Sequence, residues 1–107
     1  MTDRTLGELE QLVLLACLQL GPDAYTVSVV DELSRRAGRD VSHATVYVAL
    51  RRLEEKGLVA SSLGEPTPER RGRPKRHFRV LPHAVPLLED TRDALLRMWD
   101  GLEPSVS

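Results

Sequence analysis

The stretch from Ser42 to Gly57, SHATVYVALRRLEEKG, constrains the fold more tightly than any other part of the chain, because both of its ends carry local stop signals. Ser42 is a good N-cap, able to accept from the backbone N–H of Thr45, and Val41 and Val46 flank the start as a hydrophobic staple. At the far end Gly57 stands where a left-handed residue is wanted, and Leu58 can fold back onto Leu53. The segment therefore predicts a helix of about four turns. At the helical period Val46, Leu50 and Leu53 form the core stripe. Ala44, Val48, Arg51 and Glu55 lie opposite, with Thr45, Tyr47 and Arg52 on the flanks. An ordinary amphipathic helix with a solvated charged face shows the same pattern, so the neighbouring segments decide its meaning.

Upstream, Thr26 to Ala37 reads as a second helix, with Thr26 as N-cap, Tyr25 and Val30 as staple, Val30, Leu33 and Ala37 inward, and Gly38 just past its end. Four residues, Gly38 to Val41, then lead to Ser42. Two helices joined by so short a turn containing Gly make a helix-turn-helix unit, whose second helix enters the major groove of DNA. Small and hydroxyl residues (Ser42, Ala44, Thr45) admit the helix to the groove. Val48 suits a thymine methyl, Thr45 or Tyr47 a phosphate, and Arg51 or Arg52 a guanine edge or a phosphate.

Downstream, Leu58 to Leu63 and Lys75 to Leu81 read as two short strands around a loop with three prolines and two glycines, a wing. Arg70, Arg71, Arg73, Lys75, Arg76 and Arg79 form the densest charge block of the chain, with no acid among them. Phosphate neutralisation is its simplest use. Arg71-Gly72-Arg73-Pro74 resembles the core of an AT-hook: Gly clears the groove floor, Pro holds the strand extended, and the arginines seek the negative potential of a narrow minor groove. Minor-groove insertion and a basic tip that touches only phosphates both remain open. Glu65 and Glu69 predict that the first half of the loop points away from the duplex.

The formal net charge of −1 conceals strong segregation: residues 1–34 carry −5 and residues 70–79 carry +6. A near-neutral whole can thus present a focused basic surface. One hundred and seven residues make one small domain. The single Cys17 lies in an apolar helical run, which excludes an intramolecular disulfide and fits a buried thiol in a reducing cytosol. No secretory h-region or long apolar span is present, so the expected location is cytoplasmic, with no membrane partner. His43, His77 and His83 are far apart and lack metal-ligand spacing. There is also no P-loop, nucleotide-binding glycine fingerprint or nucleophile motif, so neither a metal, a cofactor nor an enzyme activity is expected.

The terminal segments point to a second copy of the chain. Leu6 to Leu20 opens with a capping box, Thr5 and Glu8, and its middle, Leu12 to Leu18, is apolar all the way round. A second apolar stripe, Leu88, Thr91, Leu95, Met98, Trp99 and Leu102, runs along a helix expected from His83 to Leu102. Leu12, Leu88, Leu95, Trp99 and Leu102 are the candidate dimer contacts of a C2 pair, which would set two reading helices on two half-sites about one DNA turn apart. The expected organisation is a winged helix-turn-helix domain over residues 1–81 and a dimerisation helix and tail over 82–107, one compact unit, mainly α with a small β-hairpin.

Over Leu6 to Leu102 the chain resembles the short form of the PadR group of bacterial winged-helix transcription regulators. The likeness lies in GELEQLVLLACL, AYTVSVVDEL, SHATVYVALRRLEEKGLV, the wing GEPTPERRGRPKRHFRVL and the helix after it. The resemblance implies a homodimer that represses a promoter and is often loosened by an effector, with Tyr47 and its helix as the DNA-reading element and the basic half of the wing as a groove contact. In some multidrug-sensing relatives a Trp of the last helix sandwiches flat aromatic drugs with its symmetry mate, a role the resemblance extends to Trp99. The chain departs from the family pattern at Thr26, where Gly is usual, and at Leu81-Pro82-His83-Ala84, where a Thr-Pro-x-Gly turn is common. The expected function is a sequence-specific DNA-binding repressor with a pseudo-palindromic operator. The alternatives are an architectural A·T-rich DNA binder acting through the wing, and a protein-interaction module on the same fold.

Overall fold

A computed structural model of the chain describes residues 6–64 and 74–102. The elements run α1 (Glu8–Leu20), α2 (Thr26–Ala37), α3 (His43–Glu55), β1 (Val59–Leu63), β2 (Arg76–Val80) and α4 (Val85–Trp99), with 3₁₀ turns at Gly21–Asp23 and Pro82–Ala84. α1, α2 and α3 pack on one another, and the hairpin closes the same core from the side of α1 and α3. Val13, Leu14, Val29, Leu33, Val46, Leu50, Leu53, Val59 and Phe78 fill its centre.

The ends of α3 form as the local chemistry dictates. Ser42 Oγ accepts from the Thr45 N–H at 3.1 Å, and Val41 packs half-buried against the core that holds Val46. Gly57 takes φ 76°; its N–H donates to Glu54 and that of Leu58 to Leu53, both at 2.9 Å, which is the Schellman pair. α2 starts differently from the sequence expectation. Tyr25, not Thr26, is the N-cap residue. Ser28 Oγ accepts from the Tyr25 N–H at 3.0 Å and donates to the Asp23 carbonyl at 2.6 Å, so the first turn is closed from inside the helix. Its buried residues are Val29, Glu32 and Leu33, with Val30 and Ala37 only half-buried.

α1 also begins later than expected, at Glu8. Glu10, rather than Glu8, accepts back from the N-cap, taking the Gly7 N–H at 3.2 Å, and Thr5 lies outside the described residues. Val13, Leu14, Ala16 and Cys17 face inward. Burial pushes the Cys17 thiol from 9.0 up to about 12. The unfolded chain ionises this thiol first, so its contribution to stability is complete below pH 9 and is lost as pH rises toward 12. At pH 8 a thiol-labelling reagent is expected to modify Cys17 at a rate set by unfolding, and immediately in denaturant. Equal rates in both conditions would contradict the burial.

β1 and β2 pair antiparallel, with Val59 opposite Val80, Ser61 opposite Phe78 and Leu63 opposite Arg76. A third backbone segment joins them: Tyr25 bridges His77, and the Phe78 N–H donates to the Ala24 carbonyl at 2.9 Å. α4 is attached more loosely. His83 and Ala84, expected to begin the helix, lie instead in the 3₁₀ turn Pro82–Ala84 with Ala84 fully buried, and Leu88 is the one buried residue of α4 itself. The radius of gyration is 15.7 Å, against about 13 Å for a compact chain of this length.

Candidate nucleic-acid interface

The packing of α3 decides which of its residues meet solvent. Val46, Ala49, Leu50 and Leu53 are buried, which adds Ala49 to the expected core stripe. Ser42, Ala44, Thr45, Tyr47, Val48, Arg51 and Arg52 are all exposed, with Arg52 turned toward α1 and the others along α3 and its cap. Ser42 Oγ, besides capping the helix, donates to Thr45 Oγ1 at 2.9 Å. The Thr45 hydroxyl is thus an acceptor inside the protein and keeps its own proton for an outside acceptor. Val48 is 51% exposed, as a groove-facing methyl contact requires.

The arginines of α3 differ in their settings. Arg51 lies along its own helix, with its guanidinium carbon 6.0 Å from the Tyr47 ring centre and Nη1 3.4 Å from Glu54 Oε1. Arg52 faces α1, in a recess shared with Glu8, Glu10 and Lys56. Lys56 Nζ holds both Glu10 oxygens at 2.9 Å. Arg39, from the turn between α2 and α3, reaches Glu8 at 3.3 Å. These pairs are surface contacts of modest energy, but they fix the N-terminus of α1 against the ends of α2 and α3.

At the wing, Arg70, Arg71 and Arg73, and with them most of the AT-hook-like segment, lie outside the described residues. Lys75 Nζ sits 4.1 Å above the Tyr25 ring. His77 meets the same ring edge-on at 5.7 Å, and its Nδ1 lies 3.1 Å from the Pro22 carbonyl oxygen. Arg76 Nη1 donates to Ser61 Oγ at 3.0 Å, while Arg79 is exposed. Lys75 and Arg76, expected among the DNA contacts, are oriented by Tyr25 and Ser61, and Arg51 by Glu54, partners the sequence expectation did not include. The spacing of Arg51 and Glu54 on one helix was the available signal.

Away from α3, Leu12 packs half-buried on its own core and Leu88 is buried in the protomer. An open apolar groove of about 540 Å³ lies between α1 and α4, and its walls include Leu15, Leu18, Leu88, Leu95, Leu96 and Trp99. Leu102 is exposed just beyond it. Among the described residues no three His, Cys, Asp or Glu side chains converge as a metal site would need, and no helix is long and apolar enough to cross a membrane.

A helix-turn-helix pair with a two-stranded wing, and a third helix that turns small, hydroxyl and basic residues outward, define a winged helix-turn-helix protein of the DNA-binding class. Residues 14–82 match the Transcriptional regulator PadR-like family. The match covers well over half of the chain, and the chain belongs to this family, whose members are transcriptional regulators and not enzymes. Among solved structures, a PadR family transcription regulator from hypervirulent Clostridium difficile R20291 superposes with a TM-score of 0.70 at 18% identity, over 86% of this chain and 91% of that one. A PadR family transcriptional regulator from Eggerthella lenta DSM 2243 gives a TM-score of 0.67 at 28% identity, over 88% and 81%. BpsR of Bordetella bronchiseptica, described as regulated in its DNA binding by 6-hydroxynicotinic acid, gives 0.64 at 24% identity, over 97% and 73%. No curated protein matches the chain in sequence.

Proposed function

We propose that the chain acts as a homodimeric repressor that reads a two-fold symmetric operator, with α3 in the major groove and the basic half of the wing alongside. The open side of α3 carries this reading: Ala44, Thr45, Val48 and Arg51 lie on one exposed stripe whose backbone is capped and rigid at both ends. The apolar groove between α1 and α4 supports dimerisation, since an exposed apolar surface of this kind on a small protomer marks a contact site.

An effector fits the same scheme. The groove has a volume typical of small-molecule sites and a Trp at its edge, so a flat aromatic compound can stack there between Trp99 and its symmetry mate at the dimer centre. The BpsR description, in which a small aromatic acid controls DNA binding, is an example of such control in a structural relative.

The test is selection of random-sequence duplexes on the purified protein at near-physiological salt. A two-fold symmetric consensus is the expected result. Enrichment of A·T-rich DNA without a consensus would move the function to the wing and to an architectural role. No enrichment, with or without a panel of aromatic compounds, would overturn DNA reading. The same panel read by the fluorescence of Trp99, the chain's single Trp, checks the effector.

A further inference from the structure

A line of five side chains joins the open side of α3 to the root of the wing. Tyr47 lies beside Arg51, with 6.0 Å between its ring centre and the guanidinium carbon. Arg51 Nη1 reaches Glu54 Oε1 at 3.4 Å. The other carboxylate oxygen, Oε2, accepts from the Ser61 hydroxyl on β1 at 2.6 Å. Ser61 Oγ in turn accepts from Arg76 Nη1 on β2 at 3.0 Å. The one proton of Ser61 is committed to Glu54 and its oxygen to Arg76, so the serine fixes both partners at once.

Glu54 Oε1 is buried and accepts no hydrogen bond among the described residues, which leaves the Arg51 charge as its nearest compensation. A buried carboxylate oxygen is costly without a donor or a cation beside it, so the position of the arginine beside it is favoured. One guanidinium, on the helix, thus faces the carboxylate directly, and a second, on the wing, is tied to it through Ser61.

We infer that Glu54 is a positioning residue for DNA recognition, holding Arg51 and Arg76 in one fixed relation; this rests on the DNA-reading function proposed above. The carboxylate does two things to Arg51. It limits the directions from which the guanidinium fork can approach, which favours a base edge of matching geometry over any nearby phosphate. It also offsets one positive charge at the interface, which lowers the purely ionic attraction that every sequence offers equally. Arg52 is not part of this line, because it faces the recess beside α1.

The experiment compares the wild type, Glu54→Gln and Ser61→Ala on the selected operator and on a scrambled duplex over a series of salt concentrations. Gln keeps the shape and an acceptor for Ser61 but removes the charge. Glu54→Gln is expected to bind the scrambled duplex more tightly and to steepen the slope of log affinity against log salt by about one unit, as one more phosphate is neutralised. Its operator-to-scrambled ratio should fall about five- to tenfold. Ser61→Ala, which cuts the relay to Arg76 without touching α3, should lower the ratio in the same direction. A purely structural role would change melting temperature and leave slope and ratio alone. A folded Glu54→Gln with wild-type slope and ratio overturns the inference, and so does an unchanged ratio in Ser61→Ala if Glu54→Gln does not fold. A wild type that discriminates no duplex overturns the DNA-reading function itself, an outcome distinct from both.

Discussion

Phe78→Ala is expected to remove about 3–5 kcal/mol of folding stability, the range for truncating a fully buried aromatic side chain. Phe78 is 2% exposed, the largest of the fully buried residues and the chain's one Phe. It is also where three backbone segments meet: it stands opposite Ser61 on β1, and its N–H donates to Ala24 ahead of α2. The ring therefore holds the wing against the helical body, and its loss leaves a cavity that the short hairpin cannot close by local collapse. A domain of this size has about 5–15 kcal/mol to lose in total. The melting temperature should fall by on the order of 15–25 °C. Denaturant unfolding followed by circular dichroism measures the loss, with Val48→Ala as a surface control within about 0.5 kcal/mol of wild type. A loss below about 1 kcal/mol would show that the wing folds separately from the helices.

Legibility in the sequence follows the range of the interactions concerned. α3 was readable to the residue because Ser42, Gly57 and Leu58 act within one turn of the backbone they cap. α2 was misread at its start because two hydroxyls compete there. Thr26 precedes the apolar run, but Ser28 makes the bonds, in a turn where Tyr25 is drawn to His77 on a distant strand. The beginning of α4 failed for a similar reason: Ala84 is pulled fully into the core, and the backbone tightens into a 3₁₀ turn to deliver it.

The site divides in the same way. Helical periodicity alone picked out the exposed residues Ala44, Thr45, Val48 and Arg51. The same rule shows Arg51 and Glu54 as neighbours. What it does not show is Ser61, which meets Glu54 from β1, or Arg76, which reaches Ser61 because the hairpin register sets the serine opposite Phe78, two residues along β2 from the arginine. On α1 the failure was one of degeneracy. A segment apolar all the way round has no periodic signal to choose between the Leu12 face, which packs inward, and the Leu15 and Leu18 face, which stays open.

That open face carries the second large expected effect. Changing Leu95 and Leu96 together to Glu is expected to give a protomer that folds normally, sediments as a single 12.0 kDa chain and binds the operator about 10²–10⁴-fold more weakly than wild type. Both leucines are more than half exposed, as is Trp99 at 62%, so their replacement costs the isolated protomer little. In a C2 pair each change is made twice on one apolar surface, and four carboxylates would have to be desolvated for the contact to re-form. In the proposed dimer, DNA affinity would follow dimerisation because the second reading helix is delivered by the first. Once one half-site is held, the other is met at an effective concentration set by the linkage between protomers, and separate protomers lose that gain without losing any contact. Sedimentation and operator titration on the same sample separate the steps. A double variant that stays dimeric would place the interface elsewhere than the α1–α4 groove, and a monomer with wild-type operator affinity would show that α3 and the wing recognise DNA without a partner.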